Sequence, residues 1–510
     1  MPTFAAVDIG ANSVRLKISR LVRQRLEVVH EDREVVRLGE SVFAQGMLSP
    51  AAMARTVKVL RRFHKAAREH GAEQVRVVAT SALRDARNGQ AFIDWVHMRT
   101  GWNVEVISGI EEARLIHLGV ITSLRITRWP LLLIDLGGGS CELTISARNQ
   151  IRETVSLPLG AVRLTQEFLR HDPPREDELE RLHSLISEEI RRVARRISSA
   201  RVKAVIATSG TAAALATSAQ AIRGVKNTRD NTVQATTLVR LADMLALLSY
   251  GERTRIRGIG TRRAEIIVAG AAVFAELVKR CSLPGFRYSP LGLRDGMLAE
   301  MAAAFGRSAR STRQLAIERW DSLLAAGKHY QVDTEQAQHV RCLVLEVFAA
   351  LRSVHRLPPE YQEWLSAAAM LMDAGAYVNR TGWHRHTHYI IANSEILGYT
   401  PQQRKIIAAI SRYLGSSLPS PSHKVIRALD PLDSELVPKA VALLRMARAL
   451  NQGRRRAVLG VRGGRERNGM VALKIRTNRR ISADLELWAL RKERGYFRAV
   501  FGRELEAEAS

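Results

Sequence analysis

The chain has 510 residues, too many for one hydrophobic core and enough for about three or four domains. Its 78 Lys and Arg against 50 Asp and Glu leave a net charge of +28, which concentrates polyanions such as nucleic acid, polyphosphate and nucleotides around it. Three scattered cysteines, Cys141, Cys281 and Cys342, exclude a disulfide framework or a thiolate metal cluster and point to a reducing cytoplasm. No apolar run approaches the roughly 20 residues that cross a bilayer, and the N-terminus lacks the basic-then-apolar order of a secretion signal.

Phe4 to Val7 reads as a buried strand that runs into an acid and a turn, Asp8-Ile9-Gly10-Ala11-Asn12-Ser13. Pro50 to His70, after the turn signal Leu48-Ser49-Pro50, carries apolar residues at helical spacing. Val104 to Ile107 is strand-like, and Ser108-Gly109 then leads into a helix over Ile110 to Val120 with Glu111 and Glu112 in its first turn. Acids there complement the helix dipole, but only one of two adjacent acids can share a face with the turn before it.

Leu131 to Ile145, LLLIDLGGGSCELTI, is the stretch that carries most chemistry. Four apolar residues enter Asp135 and three glycines, and Glu142 to Ile145 restart a strand, so the segment is a hairpin with a glycine tip. Glycines let backbone N–H groups converge on an anion, and Asp135, Ser140 and Glu142 place oxygens where Mg²⁺ would sit. By itself it reads more readily as an ordinary glycine-rich turn with two incidental acids. The register decides for more: Asp8-Ile9-Gly10-Ala11-Asn12-Ser13 matches Asp135-Leu136-Gly137-Gly138-Gly139-Ser140 about 127 residues on, and Val77-Val78-Ala79-Thr80-Ser81 matches Val205-Ile206-Ala207-Thr208-Ser209. Two collinear matches imply two similar α/β halves, with Asp177 to Ser199 as the second half's helix, after His171-Asp172-Pro173-Pro174.

From about Ser311 the pattern is helical: Thr312 to Gly327, Thr334 to His355, Pro359 to Met372, His388 to Leu397, Pro401 to Tyr413 and Ser434 to Asn451, an all-α domain. After Gly453, Val471 to Ile475 and Ala483 to Leu487 alternate as strands would, which predicts a small, basic, β-rich end.

AVDIGANSVRL, ATSALRDARN, ISGIEEARL, LIDLGGGSCEL and ATSGT, in that order over the first 300 residues, resemble the exopolyphosphatase/guanosine pentaphosphate phosphohydrolase (Ppx/GppA) family. The resemblance implies two duplicated α/β domains of the actin, sugar-kinase and heat-shock-chaperone superfamily (ribonuclease H-like), at residues 1–122 and 123–305. It also implies an all-helical, degenerate HD-like domain at 306–452 and a small β-rich domain at 453–510, as in the long four-domain members. An HD metal site needs adjacent His and Asp, whereas this chain has Met372-Asp373, so the His384, His386 and His388 cluster reads as scaffold or phosphate contact. Cys141 stands where many relatives have Thr and reads as packing, with a redox-sensitive loop as the alternative. Arg262-Arg263-Ala264-Glu265 and Gly292 to Gly296 look like family segments closing the second domain.

By the same resemblance Glu112 is the general base, Asp135 and Glu142 hold Mg²⁺ with Asp8 completing the shell, and Arg84 neutralises developing charge. Asn12, Ser13, Gly137, Gly138, Gly139, Ser140, Gly210 and Thr211 donate to substrate phosphates. The implied activity is processive, Mg²⁺-dependent release of orthophosphate from inorganic polyphosphate by a cytoplasmic homodimer with no specific nucleic-acid or membrane partner. The alternatives are pppGpp 5′-phosphohydrolase and a catalytically silent polyphosphate- or RNA-binding protein.

Overall fold

The apolar runs that open the two halves both become central strands because each is apolar on both faces. In β1 (Thr3–Ile9), Ala5, Val7 and Ile9 point into one core while Phe4 and Ala6 point into another. The computed structural model describes all residues except 24, 123–128, 223–230, 306–308, 395, 468–469 and 510, so the expected boundaries at 123 and 306 lie outside the described residues. The chain forms two units, Met1–Gln314 and Leu315–Ser510.

In the first unit, β2 (Ser13–Val22) and β3 (Arg25–Val35) fold back antiparallel from β1, while β4 (Gln74–Ala79) and β5 (Val104–Val106) add in parallel, giving the order β3-β2-β1-β4-β5. The second sheet repeats this with β6 (Leu131–Leu136), β7 (Cys141–Ala147), β8 (Gln150–Leu157), β9 (Ala204–Thr208), β10 (Thr232–Gln234) and β11 (Gly285–Tyr288), in the order β10-β11-β9-β6-β7-β8. The strands β8-β7-β6-β9-β11 copy the first sheet in order and direction, so the repeat seen in the sequence is a repeat of topology. Helices Pro50–Glu69 and Glu176–Ser199 hold equivalent places, the first capped by the Ser49 hydroxyl.

Between the sheets, Phe4, Leu131 and Leu133 share a buried cluster with Leu115 and Ile116 of helix Gly109–Ile121 and Met297 of helix Leu293–Phe305. Residues 293–305 follow the second half in sequence, yet that helix packs on helix Gly109–Ile121 and on β1 of the first half. The two helices meet through glycines, for a Cβ on Gly119 would lie 2.5 Å from the Gly292 carbonyl oxygen and one on Gly296 only 1.8 Å from that of Leu115.

In the second unit, helices including Thr334–Ala350, Glu360–Leu371, Trp383–Asn393, Pro401–Arg412 and Pro431–Ala449 pack around one core. That core also takes Val458 and Val461 of β12 (Val458–Arg467), Leu473 and Ile475 of β13 (Met470–Thr477) and Leu505 of β14 (Glu504–Ala509). The helical and C-terminal residues therefore share one interior rather than two. Two expectations are corrected. Ala483 to Leu487 is not a strand: helix Asp484–Lys492 forms instead, because Glu486, Ala489 and Leu490 at helical spacing turn inward, and Glu486 accepts the Gly453 N–H at 2.8 Å. The helix expected over His388 to Leu397 runs over Trp383–Asn393, starting directly after left-handed Gly382. No helix among the described residues is long and apolar enough to cross a membrane.

Gly296→Ala should destabilise the first unit by about 1–3 kcal/mol, because the added methyl meets backbone that cannot swing away. Urea denaturation of the two proteins checks this, and an unchanged midpoint would mean that the helices separate at little cost.

Candidate active site

The glycine tip between β6 and β7 opens on a cleft of about 260 Å³ whose lining comes from both α/β halves, including Asp8, Asn12, Ser81, Glu112, Asp135 and Gly210. Asp8 and Asp135 end equivalent strands, and each faces a partner seven residues on across its own hairpin: Asp8 pairs with Arg15, Asp135 with Glu142. Duplication supplied the frame, and one charge reversal made the halves different. The second hairpin is wholly acidic.

Helix Gly109–Ile121 brings the third acid. Ser108 caps it, accepting the Glu111 N–H at 3.2 Å, and the roughly 100° step between adjacent helical residues sends Glu111 and Glu112 to different places. Glu111 is held by Arg114 in two 2.8 Å contacts, and Arg114 also reaches Glu300 at 2.8 Å. Glu112 turns to the cleft. Gly109 permits the approach, since a Cβ there would stand 2.2 Å from the Ser156 hydroxyl.

Ligand oxygens of Glu112, Asp135 and Glu142 lie within 4.8 Å of one another, and among the described residues this is the one trio of metal-ligating side chains so placed. Ser156 donates to Glu142 Oε1 at 2.8 Å and the Thr208 hydroxyl donates to Asp135 Oδ1, while Glu142 Oε2 and Glu112 Oε2 are buried with no hydrogen-bond partner. Burial, and then the charge of Asp135, lifts the Glu142 carboxyl to about 7. Burial followed by Glu142 holds Glu112 well above the usual carboxylate range, and burial raises Asp135 despite the Thr208 hydrogen bond. Three crowded carboxylates with unpaired oxygens fit a hard divalent cation. Arg84 Nη1 stands 3.9 Å from Glu112 Oε2 and donates to the Ile107 carbonyl at 2.7 Å. Asp8 is half-buried and desolvation raises its carboxyl, but it faces Arg15, Arg294 and Arg33 and lies outside the trio.

Among the remaining residues picked from sequence, Asn12, Ser13, Gly137, Gly138, Ser140 and Gly210 line the cleft, and Asn12 Nδ2 is a buried donor without a partner. Gly139 and Thr211 stand behind the lining: Ser81 and Phe43 cover Gly139, and Thr211 packs on Gly270. Cys141 lies in the core of the second half with its thiol pushed up by burial, which suits packing and not reactivity. In the second unit Asp373 is tied to Arg454 at 2.5 Å, and burial and then Arg412 lower His388.

The sequence reading missed the opposite wall. Arg15, Arg33, Arg263 and Arg294 line the cleft together with Tyr288. Burial and Arg15 lower Arg33 to about 10 and Arg263 to about 9, and Arg33 Nε and Nη2 are buried donors without acceptors. Arg15 was recoverable from the repeat, as the residue in the place of Glu142. Arg33 sits in a strand of charged residues that look alike in sequence, whereas Arg263 and Arg294 belong to the segments noted as closing the second domain.

In the metal-free protein, a carboxyl raised to about 7 keeps a proton that the unfolded chain releases near 4.5, so its contribution to stability falls as pH climbs through that interval. Glu142→Gln should therefore raise the melting temperature at about pH 7.5, by a stabilisation on the order of 1–3 kcal/mol, with the gain vanishing near pH 4.5. Thermal melts in chelator at the two pH values read it out; an equal gain at both would remove ionisation as the cause.

The profile of the Ppx/GppA phosphatase family matches residues 17–305, and that of domain III of the same family matches residues 319–495. Among solved structures, an exopolyphosphatase from Cytophaga hutchinsonii is 28% identical with a TM-score of 0.56, over 59% of this chain and 98% of that one. A Ppx/GppA family member from Aquifex aeolicus is 29% identical with a TM-score of 0.51, over 60% of this chain and 99% of that one.

Proposed function

Because the chain belongs to the Ppx/GppA phosphatase family, we propose that it is a Mg²⁺-dependent exopolyphosphatase that releases orthophosphate from the ends of inorganic polyphosphate. The observation that carries this reading is a cleft lined by Glu112, Asp135 and four arginines, with Glu142 set beside the first two so that the three carboxylates lie within 4.8 Å of one another. The trio suits a metal and a base; the wall suits a substrate with several adjacent negative charges and no other feature to recognise. Inorganic polyphosphate meets that description most fully, and the net charge of +28 draws it in. pppGpp offers a shorter anion to the same wall.

Asp135 and Glu142 would hold the metal, which when bound polarises the terminal phosphoryl oxygens and offsets their charge. Glu112 orients a water and accepts its proton as the oxygen attacks the terminal phosphorus and the bridging P–O bond breaks. Burial suits Glu112 to this, because a carboxylate held above its ordinary pKa is a stronger base. Arg84, beside Glu112, faces the charge that develops, while Gly137, Gly138 and Asn12 donate N–H groups to phosphate oxygens.

Glu112→Gln should cost on the order of 10² to 10⁴ in turnover while leaving polyphosphate binding nearly intact. Orthophosphate release from long polyphosphate and from pppGpp, with and without Mg²⁺, is the assay. More than half of wild-type activity in the mutant would assign the base elsewhere, and faster turnover of pppGpp would reverse the choice of substrate.

Processivity belongs to the second unit in this reading, because a long polyanion gains affinity by engaging many cations at once. The two solved relatives align over nearly their whole length with about three-fifths of this chain, and the family profile matches residues 17–305, which supports independent folding of residues 1–314. That fragment should hydrolyse short chains but leave intermediate lengths visible on a gel when given long ones. If it unfolds cooperatively yet digests long chains without intermediates, processivity resides in the first unit.

A further inference from the structure

The second unit contains a cavity of about 600 Å³ that the proposed hydrolysis does not use, and its lining is unlike that of the cleft. Three aromatic side chains, Tyr330, Tyr377 and Trp383, border it. Tyr330 and Tyr377 meet edge to face with ring centroids 5.8 Å apart, which leaves Tyr377, 53% exposed, with open ring surface. Arg448 lies over the Trp383 ring, its guanidinium 4.9 Å from the ring centroid. Arg448 and exposed Arg380 also line the cavity, and Arg454 is held there by Asp373 at 2.5 Å.

An inorganic polyanion has no use for rings, and a purely apolar ligand has none for three guanidinium groups. A ligand with a flat heterocycle at one end and phosphate at the other uses both, stacking on the aromatic faces and pairing its charge with arginine. We propose that this cavity binds a nucleotide, with the base against Tyr377 and Trp383 and the phosphates toward Arg380 and Arg448. The site is separate in sequence from the hydrolytic residues, all of which lie in Met1–Gln314. It makes the second unit a receptor for a ligand that the first does not need to consume.

Photolabelling of the full-length protein with 8-azido-ATP, followed by peptide mapping, tests the proposal. Label should appear on peptides carrying residues 330, 377 or 383, and AMP should displace it far better than the same concentration of inorganic tripolyphosphate. Loss of one stacking platform weakens binding by about tenfold or more, so Tyr377→Ala should lose the label by that factor. Tyr377→Phe, which keeps the ring, should retain it. Because Tyr377 is at the surface, its variants should melt like wild type and hydrolyse polyphosphate at the wild-type rate. Arg380→Ala gives an independent second variant and should weaken competition by AMP. Label confined to residues 1–314, displacement by tripolyphosphate as effective as by AMP, or labelling unchanged in both Tyr377→Ala and Arg380→Ala would overturn the proposal.

Discussion

Crowding three carboxylates, two buried and one half-buried, within 4.8 Å of one another is the constraint on which the first unit depends. Each ionised acid loses solvation and repels the other two, so the arrangement stands only because packing elsewhere holds it. Ser156 and Thr208 each supply one hydrogen bond, Arg84 approaches without closing on Glu112, and two carboxylate oxygens are left without a hydrogen-bond partner. The frame that holds the acids is stiff. Glu112 rides on a helix whose start abuts β8 through Gly109 and whose flank is locked through Gly119 and Gly296 to the helix that ends the unit.

The repeat explains how such a site is built from two copies of one motif. Both hairpins place an aspartate at the end of a central strand and a second charged residue seven positions on. With Arg15, Lys17 and Arg20 the first hairpin is basic and brings Arg15 to the cleft, whereas with Glu142 beside Asp135 the second is doubly acidic. A single position, occupied by opposite charges in the two halves, gives an arginine to the cleft in one and a third acid to the carboxylate trio in the other. Burial acts on both kinds of group, pushing the acids up and the arginines down.

The second unit follows another logic. Its helices and its three strands share one interior, so the C-terminal residues complete a core instead of forming an appendage. Asp373, beside Met372 where a metal pair would need histidine, spends its charge on Arg454, and the neighbouring histidines sit among arginines that disfavour further positive charge. That electrostatic setting disfavours a cation and favours anions.

The sequence by itself determined the duplication, the glycine hairpin and the two central strands, while its family resemblance singled out Glu112, Asp135, Glu142 and Asp8, of which Asp8 lies outside the carboxylate trio. These signals are local: a strand buried on both faces must be apolar at successive positions, and a chain that turns tightly beside an anion needs glycine. Local periodicity failed at Ala483 to Leu487, where five alternating residues satisfy a strand but the inward face of a helix, set by Glu486, Ala489 and Leu490, prevailed. Only the tertiary structure gathered Arg15, Arg33, Arg263 and Arg294 onto one wall, returned residues 293–305 to the first half, and set Gly139 and Thr211 behind the lining. Arginine carries no periodic signature and most of this chain's arginines face solvent, so which four converge depends on how strands and loops distant in sequence are brought together, which no window of residues encodes.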